Sequence, residues 1–130
     1  PQRWKGPRMT ITFNQNTPIY LQVARMIRDA ILTGDLSEGE AIPSVRRISV
    51  EHSLNPQTVL NATQTLVSQD VLEKRRGLGI FVKEGARQRL LDQELEIFIT
   101  DEIPALTERA RLLGVSTQEI VKLIKQKSKG

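Results

Sequence analysis

The 130-residue sequence predicts a mainly α-helical fold that carries one small β-hairpin. Three observations indicate this class. Apolar residues recur at helical spacing both before and after the segment 42–82. Within that segment, Ser44 and Asn55 each precede a helical pattern and are good N-caps. Two short strand-like runs then flank Gly77-Leu78-Gly79, whose glycines allow a tight turn.

The first helix is predicted to run from Pro18 to about Thr33. Thr17 can cap it, Pro18 suits its first position, and Gly34 can end it. Its core-facing stripe is Tyr20, Val23, Ala24, Ile27, Ala30 and Ile31. The Tyr20 hydroxyl could meet a phosphate, although a core ring with a hydrogen-bonded tip is the favoured interpretation.

A pair of short helices is predicted next, joined by a tight turn near Leu54. Ser44 caps the first of them. One side of that helix carries Val45, Ile48 and Ser49. Asn55 caps the second helix, and Pro56 takes its first position, where the missing N–H costs nothing.

The second helix of this pair has two different faces. Its core face is formed by Val59, Ala62 and Leu66. Its open face carries side chains that hydrogen-bond but bear no charge: Gln57, Asn61, Gln64 and Ser68. Two helices joined by a short turn, with amides on the open face of the second, are typical of a helix-turn-helix that enters a major groove.

The strand-like runs 71–76 and 80–83 predict a basic hairpin directly after the helix pair. Lys74, Arg75 and Arg76 lie on its ascending arm, next to the Gly77-Leu78-Gly79 turn. A basic hairpin in this position is a wing, whose tip usually meets phosphates or a minor groove. The order helix, turn, helix, hairpin therefore predicts a winged helix-turn-helix domain.

These motifs resemble those of the GntR family of bacterial transcription regulators. The resemblance covers roughly Pro18 to Val82 and is carried by Pro18-Ile19-Tyr20-Leu21-Gln22, Gly34-Asp35-Leu36, Gly39, Ile42-Pro43-Ser44-Val45-Arg46, Asn55-Pro56-Gln57-Thr58-Val59 and Arg75-Arg76-Gly77-Leu78-Gly79-Ile80-Phe81-Val82. It implies a short strand near Glu40–Ile42 that pairs with the wing. The short remainder resembles the YtrA-like subfamily, whose C-terminal part is a small helical dimerisation unit.

The resemblance and the residue types together predict a DNA-binding site. Arg46, in a Pro-Ser-x-Arg context, is implied to contact DNA, while Thr58 suits a phosphate at the helix N-terminus. Gln57 and Asn61 are predicted to read base edges, since either amide can pair with adenine. The predicted site is Ser44, Arg46, Arg47, Asn55, Gln57, Thr58, Asn61, Arg75, Arg76 and Gly77.

Two alternatives to this assignment stay open. Gln57 and Asn61 could be ordinary surface polar residues. Arg47 could be an ion-pair partner of Glu51, four residues later on the same helix.

The sequence departs from the family pattern at four positions. Asn61 stands where Lys or Arg is common, Thr63 where an aromatic is common, and Leu78 where the wing tip usually carries Lys. Asp70 replaces the Gly that usually ends the recognition helix, although Asp tolerates the left-handed conformation. These changes preserve the expected fold but reduce the positive charge of the interface.

The tail predicts helices that associate with a second copy of the chain. Apolar residues recur at steps of three and four from Leu91 to Leu113. A helix of this length has a longer apolar stripe than the small winged domain could cover. Pro104 should kink or break this helix. After Gly114, a capping box from Ser116 to Glu119 starts a final helix that should fold back as a hairpin. The predicted dimerisation residues are Leu91, Leu95, Phe98, Ile99, Ile103 and Leu106.

Composition excludes most catalytic and metal chemistry. The chain has no cysteine and a single histidine, His52, so neither a catalytic constellation nor a metal site can be drawn, and no cofactor is expected. No apolar run is long enough for a membrane span, and a cytoplasmic location is expected by default. The net charge is +4. Residues 43–83 hold six Lys/Arg against three acids, whereas residues 84–130 hold eight of each. The winged segment therefore carries an excess of positive charge and the tail carries none.

Three segments follow from these observations. Residues 1–9 are expected to be a disordered or vector-derived leader, residues 10–84 a winged-helix DNA-binding domain, and residues 85–130 a helical dimerisation region. A short extended arm is expected at Thr10–Phe13. We expect a transcription regulator, a repressor by preference and not an enzyme, that binds an inverted-repeat operator in double-stranded DNA as a homodimer.

Two further hypotheses accompany this expectation. A small-molecule effector would extend it, bound between the tail helices and the winged domain. The alternative function is a winged-helix protein-interaction module that does not bind DNA specifically.

Overall fold

A computed structural model of the chain describes residues 16–128. The mainly helical fold with a small β-hairpin is confirmed. In chain order the elements are α1 (Ile19–Thr33), α2 (Val45–Glu51), α3 (Pro56–Ser68), β1 (Leu72–Arg75), β2 (Gly79–Val82), α4 (Ala86–Ile97), a π-helical turn (Phe98–Glu102), α5 (Ile103–Leu112) and α6 (Thr117–Lys127). The expected leader and the arm at Thr10–Phe13 lie outside the described residues.

The chain forms two compact units, the first ending at Leu91 and the second beginning at Asp92. In the first unit, α3 packs against α1 and α2, and the hairpin closes the end of the core. The predicted stripe of α1 is buried except for Tyr20, which is half-buried at its edge. The helix begins one residue later than predicted, since Pro18 and not Thr17 holds the N-cap position. It ends as expected at Gly34, whose φ of 87° is left-handed.

The wing is a two-stranded antiparallel sheet that the preceding loop extends. Leu72 pairs with Val82 and Arg75 with Gly79 across the hairpin. The segment that the resemblance marked as a strand makes a single bridge from Ala41 to Phe81. Hydrogen bonds flank this bridge, with the Ile42 amide donating to the Ile80 carbonyl at 2.9 Å. The wing is therefore held to the helical core at its base.

The start of α4 belongs to the first unit. Ala86 and Leu90 are buried in the same core as α1 and α3. The Glu38 carboxylate accepts the backbone amide of Arg87 at 3.1 Å, so a residue 49 positions earlier caps this helix. Backbone hydrogen bonds from Gly85 and Arg87 hold the pKa of Glu38 below its ordinary value. The Arg89 guanidinium donates to the Asp70 carbonyl at 2.6 Å and ties α4 to the end of α3.

The second unit explains how the chain accommodates Pro104. Proline has no amide hydrogen, and its ring collides with the carbonyl four residues earlier in a regular helix. The chain forms the π-helical turn Phe98–Glu102 just before Pro104. Its wider i→i+5 hydrogen-bonded rings relieve the clash, and the helix continues into α5. Of the two outcomes predicted at Pro104, a break is wrong, because the helix continues through this π-turn into α5.

The hairpin of α5 and α6 is also confirmed. Gly114 (φ 74°) ends α5, and the capping box starts α6, with Ser116 Oγ accepting the Glu119 amide at 3.1 Å. Ala110 is the one buried side chain among the described residues of this unit. Its large apolar side chains are mostly exposed, which a single copy of the unit leaves unexplained.

The Glu38 cap predicts a pH dependence of stability. Because folding lowers the pKa of Glu38 below 4.5, the unfolded chain binds this proton more readily than the folded chain. The cap's contribution is therefore complete above the unfolded pKa and is lost as pH falls through the folded pKa. We expect the urea midpoint to fall over this acidic range in the parent chain and to fall less in Glu38→Gln.

The matched control is Glu84→Gln, which removes an exposed carboxylate that does not cap the helix. It should follow the parent curve. An identical acid transition in all three proteins would remove Glu38 from the stabilising contacts.

Candidate nucleic-acid interface

The helix-turn-helix is fixed by the two caps that the sequence predicted. Ser44 Oγ accepts the Arg47 amide at 3.1 Å at the start of α2. Asn55 Oδ1 accepts the Gln57 amide at 2.8 Å at the start of α3. Between the helices, Ser53 adopts a left-handed φ of 53°, which reverses the chain within a few residues. Ser44 and Asn55 thus serve as helix caps whatever else they contact.

The exposed face of α3 presents two linked amides. Gln57 is exposed and Asn61 is half-buried, one helical turn apart. Gln57 Nε2 donates to Asn61 Oδ1 at 2.9 Å. This bond leaves the Gln57 carbonyl oxygen as an acceptor and the Asn61 amino group as a donor. Together they present the donor and acceptor pair that a base edge in the major groove complements.

Three of the four side-chain hydroxyls on α3, all except that of Thr58, donate to its own backbone. Thr65 Oγ1 donates to the Asn61 carbonyl at 2.9 Å, and Ser68 Oγ donates to the Thr65 carbonyl at 2.7 Å. Thr63 is buried and donates to the Leu60 carbonyl at 2.9 Å, so the position where an aromatic is common is satisfied by a small polar residue. The amides are therefore the strongest recognition groups on this helix.

A shallow groove borders the open face of α3. Its lining is Tyr20, Asn61, Gln64, Thr65 and Ser68. The Tyr20 ring packs against the core and stays half-buried, which agrees with the first half of the favoured interpretation. The hydrogen-bonded tip that it also expected is not seen among the described residues.

The two neighbouring arginines of α2 differ in what they contact. Arg46 is exposed in the first turn, and its guanidinium has no ion pair with a described residue. Arg47 Nε lies 2.9 Å from Glu51 Oε1, which is the ion pair left open as an alternative. Thr58 is half-buried in the first turn of α3, where the helix dipole favours a phosphate. Of the two arginines on α2, Arg46 is thus the one whose guanidinium can bind an anion without first breaking an ion pair with a described residue.

The two arginines of the wing differ in their contacts: Arg75 contacts other wing residues, and Arg76 is exposed. Arg75 Nη2 lies 2.8 Å from Glu73 Oε2, and the guanidinium carbon lies 4.2 Å from the centroid of the Phe81 ring. Lys74 and Arg76 are exposed, without an ion pair in the described part of the chain. Gly77 (φ 76°) follows Arg76 and bends the tip, and Leu78 there is 72% exposed. The tip can therefore approach DNA closely.

No cluster of three metal-ligating side chains occurs within residues 16–128. In the same range, no helix combines the length and apolar composition that crossing a bilayer requires. An exposed face of amides flanked by cations is suited to nucleic acid.

Sequence reasoning missed two contacts in this site. The bond between Gln57 and Asn61 joins two residues at i and i+4, and this spacing was the available signal. The pairing of Arg75 with Glu73 carries a weaker signal, since residues two apart share one face of a strand.

The chain is similar to known bacterial regulatory proteins. The profile of the family described as "Bacterial regulatory proteins, gntR family" matches residues 19–82. The HTH-type transcriptional repressor YtrA of Bacillus subtilis is 29% identical over 111 residues, which cover 85% of each chain. The names of the family and of this relative are those of transcription regulators, which are not enzymes.

The chain also resembles solved structures of such regulators. A GntR-family transcriptional regulator from Bacteroides thetaiotaomicron is 37% identical with a TM-score of 0.63, covering 83% of this chain and 94% of its own. The DNA-binding domain of AraR in complex with operator ORX1 is 26% identical with a TM-score of 0.50, covering 55% of this chain and 92% of its own.

The wing geometry predicts that Glu73 restrains binding to DNA. Glu73→Gln removes the ion pair of Arg75 and one negative charge beside the wing tip. We expect affinity for random-sequence duplex DNA at low salt to rise about five-fold, because an exposed pair is weak and phosphate competes for the arginine. Fluorescence anisotropy with a labelled duplex measures this change.

Glu96→Gln makes the same charge change on the exposed surface of the second unit and is the matched control. Its affinity should stay within about two-fold of the parent, because a single exposed charge that pairs with no wing residue is largely screened by salt. Equal affinity of Glu73→Gln and the parent would show that Glu73 does not restrain Arg75.

Proposed function

Because this chain belongs to the GntR family of DNA-binding bacterial transcription regulators, we propose that it is a repressor that binds an inverted-repeat operator as a homodimer. The observation that carries the proposal is the exposed amide pair of Gln57 and Asn61 on α3, flanked by cations on α2 and the wing that form no ion pair with a described residue. YtrA is named a repressor. The proposed division of labour is DNA binding by residues 10–84 and dimerisation by residues 85–130.

The amide pair is the proposed base-reading element. Its mutual hydrogen bond fixes two flexible side chains before DNA arrives, so less rotamer entropy is lost on binding. An adenine edge offers N7 as acceptor and N6 as donor, which match the Asn61 amino group and the Gln57 oxygen. The pair acts as one unit over one base pair or two adjacent ones.

The remaining site residues position α3 on the duplex. Arg46 binds a phosphate or the edge of a guanine, and Thr58 binds a phosphate at the positive end of α3. Arg76 and Gly77 bring the wing tip to the backbone or the minor groove. Arg47 and Arg75 exchange their carboxylate partners for phosphate on binding. Ser44 and Asn55 contribute by capping the helices on which these groups lie.

Dimerisation is proposed through the apolar stripe of the tail. Its members are all exposed in the single chain, from 38% at Leu91 to 53% at Ile99. The stripe consists of Leu91, Leu95, Phe98, Ile99, Ile103 and Leu106. A second copy covers such a surface by two-fold symmetry, with the same residues on both sides.

A symmetric dimer determines the form of the operator. Two recognition helices related by a two-fold axis read half-sites about 34 Å apart, which is one turn of DNA. The operator is therefore an inverted repeat. The proposed place of action is the cytoplasm, where bacterial DNA lies, and the proposed role involves no catalysis. A small-molecule effector is proposed to set the occupancy of the operator.

Arg46 provides the sharpest test of the site. Arg46→Ala should weaken binding to a duplex that the protein selects from a random pool by about 1–3 kcal/mol, because a guanidinium contact is lost. The midpoint of urea unfolding should not change, since Arg46 is exposed and unpaired.

The matched control is Arg25→Ala, which removes an exposed arginine from α1 outside the site. Its affinity should fall only slightly, in line with the lost net charge. Parent-like affinity of Arg46→Ala on the selected duplex would remove Arg46 from the interface.

The dimer is tested by a charge within the stripe. Ile99→Asp should raise the dimer dissociation constant about a hundred-fold or more, because a carboxylate would be buried at the interface. Sedimentation equilibrium measures the change. Val50→Asp places the same charge at an exposed apolar residue of α2 and should leave the association state unaltered. A dimer that persists in Ile99→Asp contradicts the proposed interface.

A further inference from the structure

The wing ends in a single apolar side chain. Leu78 lies at the apex of the hairpin turn and is 72% exposed. Its amide donates to the Arg75 carbonyl at 2.9 Å, which closes the turn. Gly77 and Gly79, with φ values of 76° and 120°, flank it on both sides. Outside the adjacent residues, no heavy atom lies within 4 Å of the place where either glycine would carry a Cβ. Leu78 therefore projects from an otherwise bare tip.

The other end of the hairpin is fixed in the core of the first unit. Leu72 and Val82 pair across the two strands and are almost completely buried. The Val82 amide donates to the Glu40 carbonyl at 2.9 Å, so a third segment of backbone is bonded to β2. In addition, β1 packs against α3, the helix that presents the amide pair. The hairpin thus holds Leu78 in a definite position relative to the recognition helix.

The apex differs in chemistry from the residues around it. Lys74 and Arg76 are exposed and form no ion pair with a described residue, so they are suited to phosphates. Leu78 has neither a charge nor a hydrogen-bonding group in its side chain, and it gains nothing from a phosphate oxygen. Duplex DNA offers apolar atoms in two places, which are the thymine methyl in the major groove and the sugars and adenine C2–H in the minor groove.

The width of the hairpin favours the minor groove. Paired strands lie about 4.8 Å apart, and the glycines beside Leu78 add no side chains to that width. The minor groove is about 6 Å wide, and its edges are phosphates that Lys74 and Arg76 can bind. The major groove is about 12 Å wide, and α3 occupies it in the proposed complex.

We propose that Leu78 is a specificity-determining residue, which lies on the floor of the minor groove and selects an A·T pair there. The middle of that floor is the apolar C2–H edge of adenine in an A·T pair and the N2 amino group of guanine in a G·C pair. An aliphatic side chain over the amino group removes a donor from water without replacing its hydrogen bond, which is unfavourable. The acceptors beside it occur in both pairs and do not discriminate between them. The inference rests on the proposed function and deepens it, since it names the base pair that the wing reads.

The test replaces single pairs in a duplex that the protein selects from a random pool. Each A·T pair is changed in turn to G·C and to inosine·C, where inosine is guanosine without the N2 amino group. Inosine·C therefore has the major-groove edge of G·C but lacks its minor-groove donor. We expect each half-site to contain a position at which inosine·C binds like A·T and G·C binds about ten-fold more weakly. At positions read by α3, inosine·C should instead follow G·C.

Leu78→Ala should reduce this difference to roughly two-fold, because the shorter side chain no longer covers the amino group. The midpoint of urea unfolding should not change, since Leu78 is exposed. The matched control is Val50→Ala, which shortens a 71% exposed aliphatic side chain of α2 outside the predicted site. It should keep the full difference between G·C and inosine·C.

Two results would overturn the role of Leu78. If inosine·C follows G·C at every position, the protein reads these pairs only from the major groove. If the difference between G·C and inosine·C survives in Leu78→Ala, its source is another group or the width of the groove.

The affinity of the parent for its selected duplex separates this inference from the proposed function. Tight binding as a dimer, together with either of those two results, leaves the regulator intact and contradicts the role of Leu78 alone. Failure to select any duplex from the pool contradicts the regulator and the role of Leu78 together.

Discussion

The two-faced nature of α3 is the constraint on which the rest of the structure depends. Val59 and Leu66 are completely buried against α1 and α2, and each contributes about 1.5–3 kcal/mol of burial free energy. That packing determines which side of the helix faces outward, and it places Gln57 and Asn61 there. The exposed ion pairs around the site are worth about 0–1 kcal/mol each. The interface is therefore positioned by apolar packing, and its charges remain available for exchange with phosphate.

A second group of contacts, all within the first unit, fixes the start of α4. Glu38 caps α4 from a distant loop, while Lys83 and Arg89 converge on Asp70, which has a left-handed φ of 61°. The Lys83 hydrogen bond lowers the pKa of the Asp70 carboxyl below its ordinary value. A glycine at this position would adopt the same backbone but could not hold Lys83. The departure from the family pattern at Asp70 thus adds a contact that ties α3 to the segment leading into α4.

The sequence predicted the elements whose causes are local. The caps at Ser44 and Asn55 depend on residues within one helical turn, and their hydrogen bonds are present as expected. The Glu38 cap could not be predicted, because it joins residues 49 positions apart. The form of the distortion at Pro104 also escaped, since a kink, a break and a π-turn all relieve the same clash. The choice among the three depends on which backbone hydrogen bonds each one preserves. The periodicity of apolar residues does not indicate which bonds these are.

The second unit carries its own argument for a partner. Among its described residues only Ala110 is buried, so its apolar side chains remove little area from water within one chain. Isolated helices of ten to twelve residues are marginal in water, and α5 and α6 are of that length. The capping box and the π-turn arrange the backbone but supply little burial. In the proposed homodimer, the tail of the second copy would supply the missing burial, and for this reason subunit association and ordering of the tail are expected to be one coupled step.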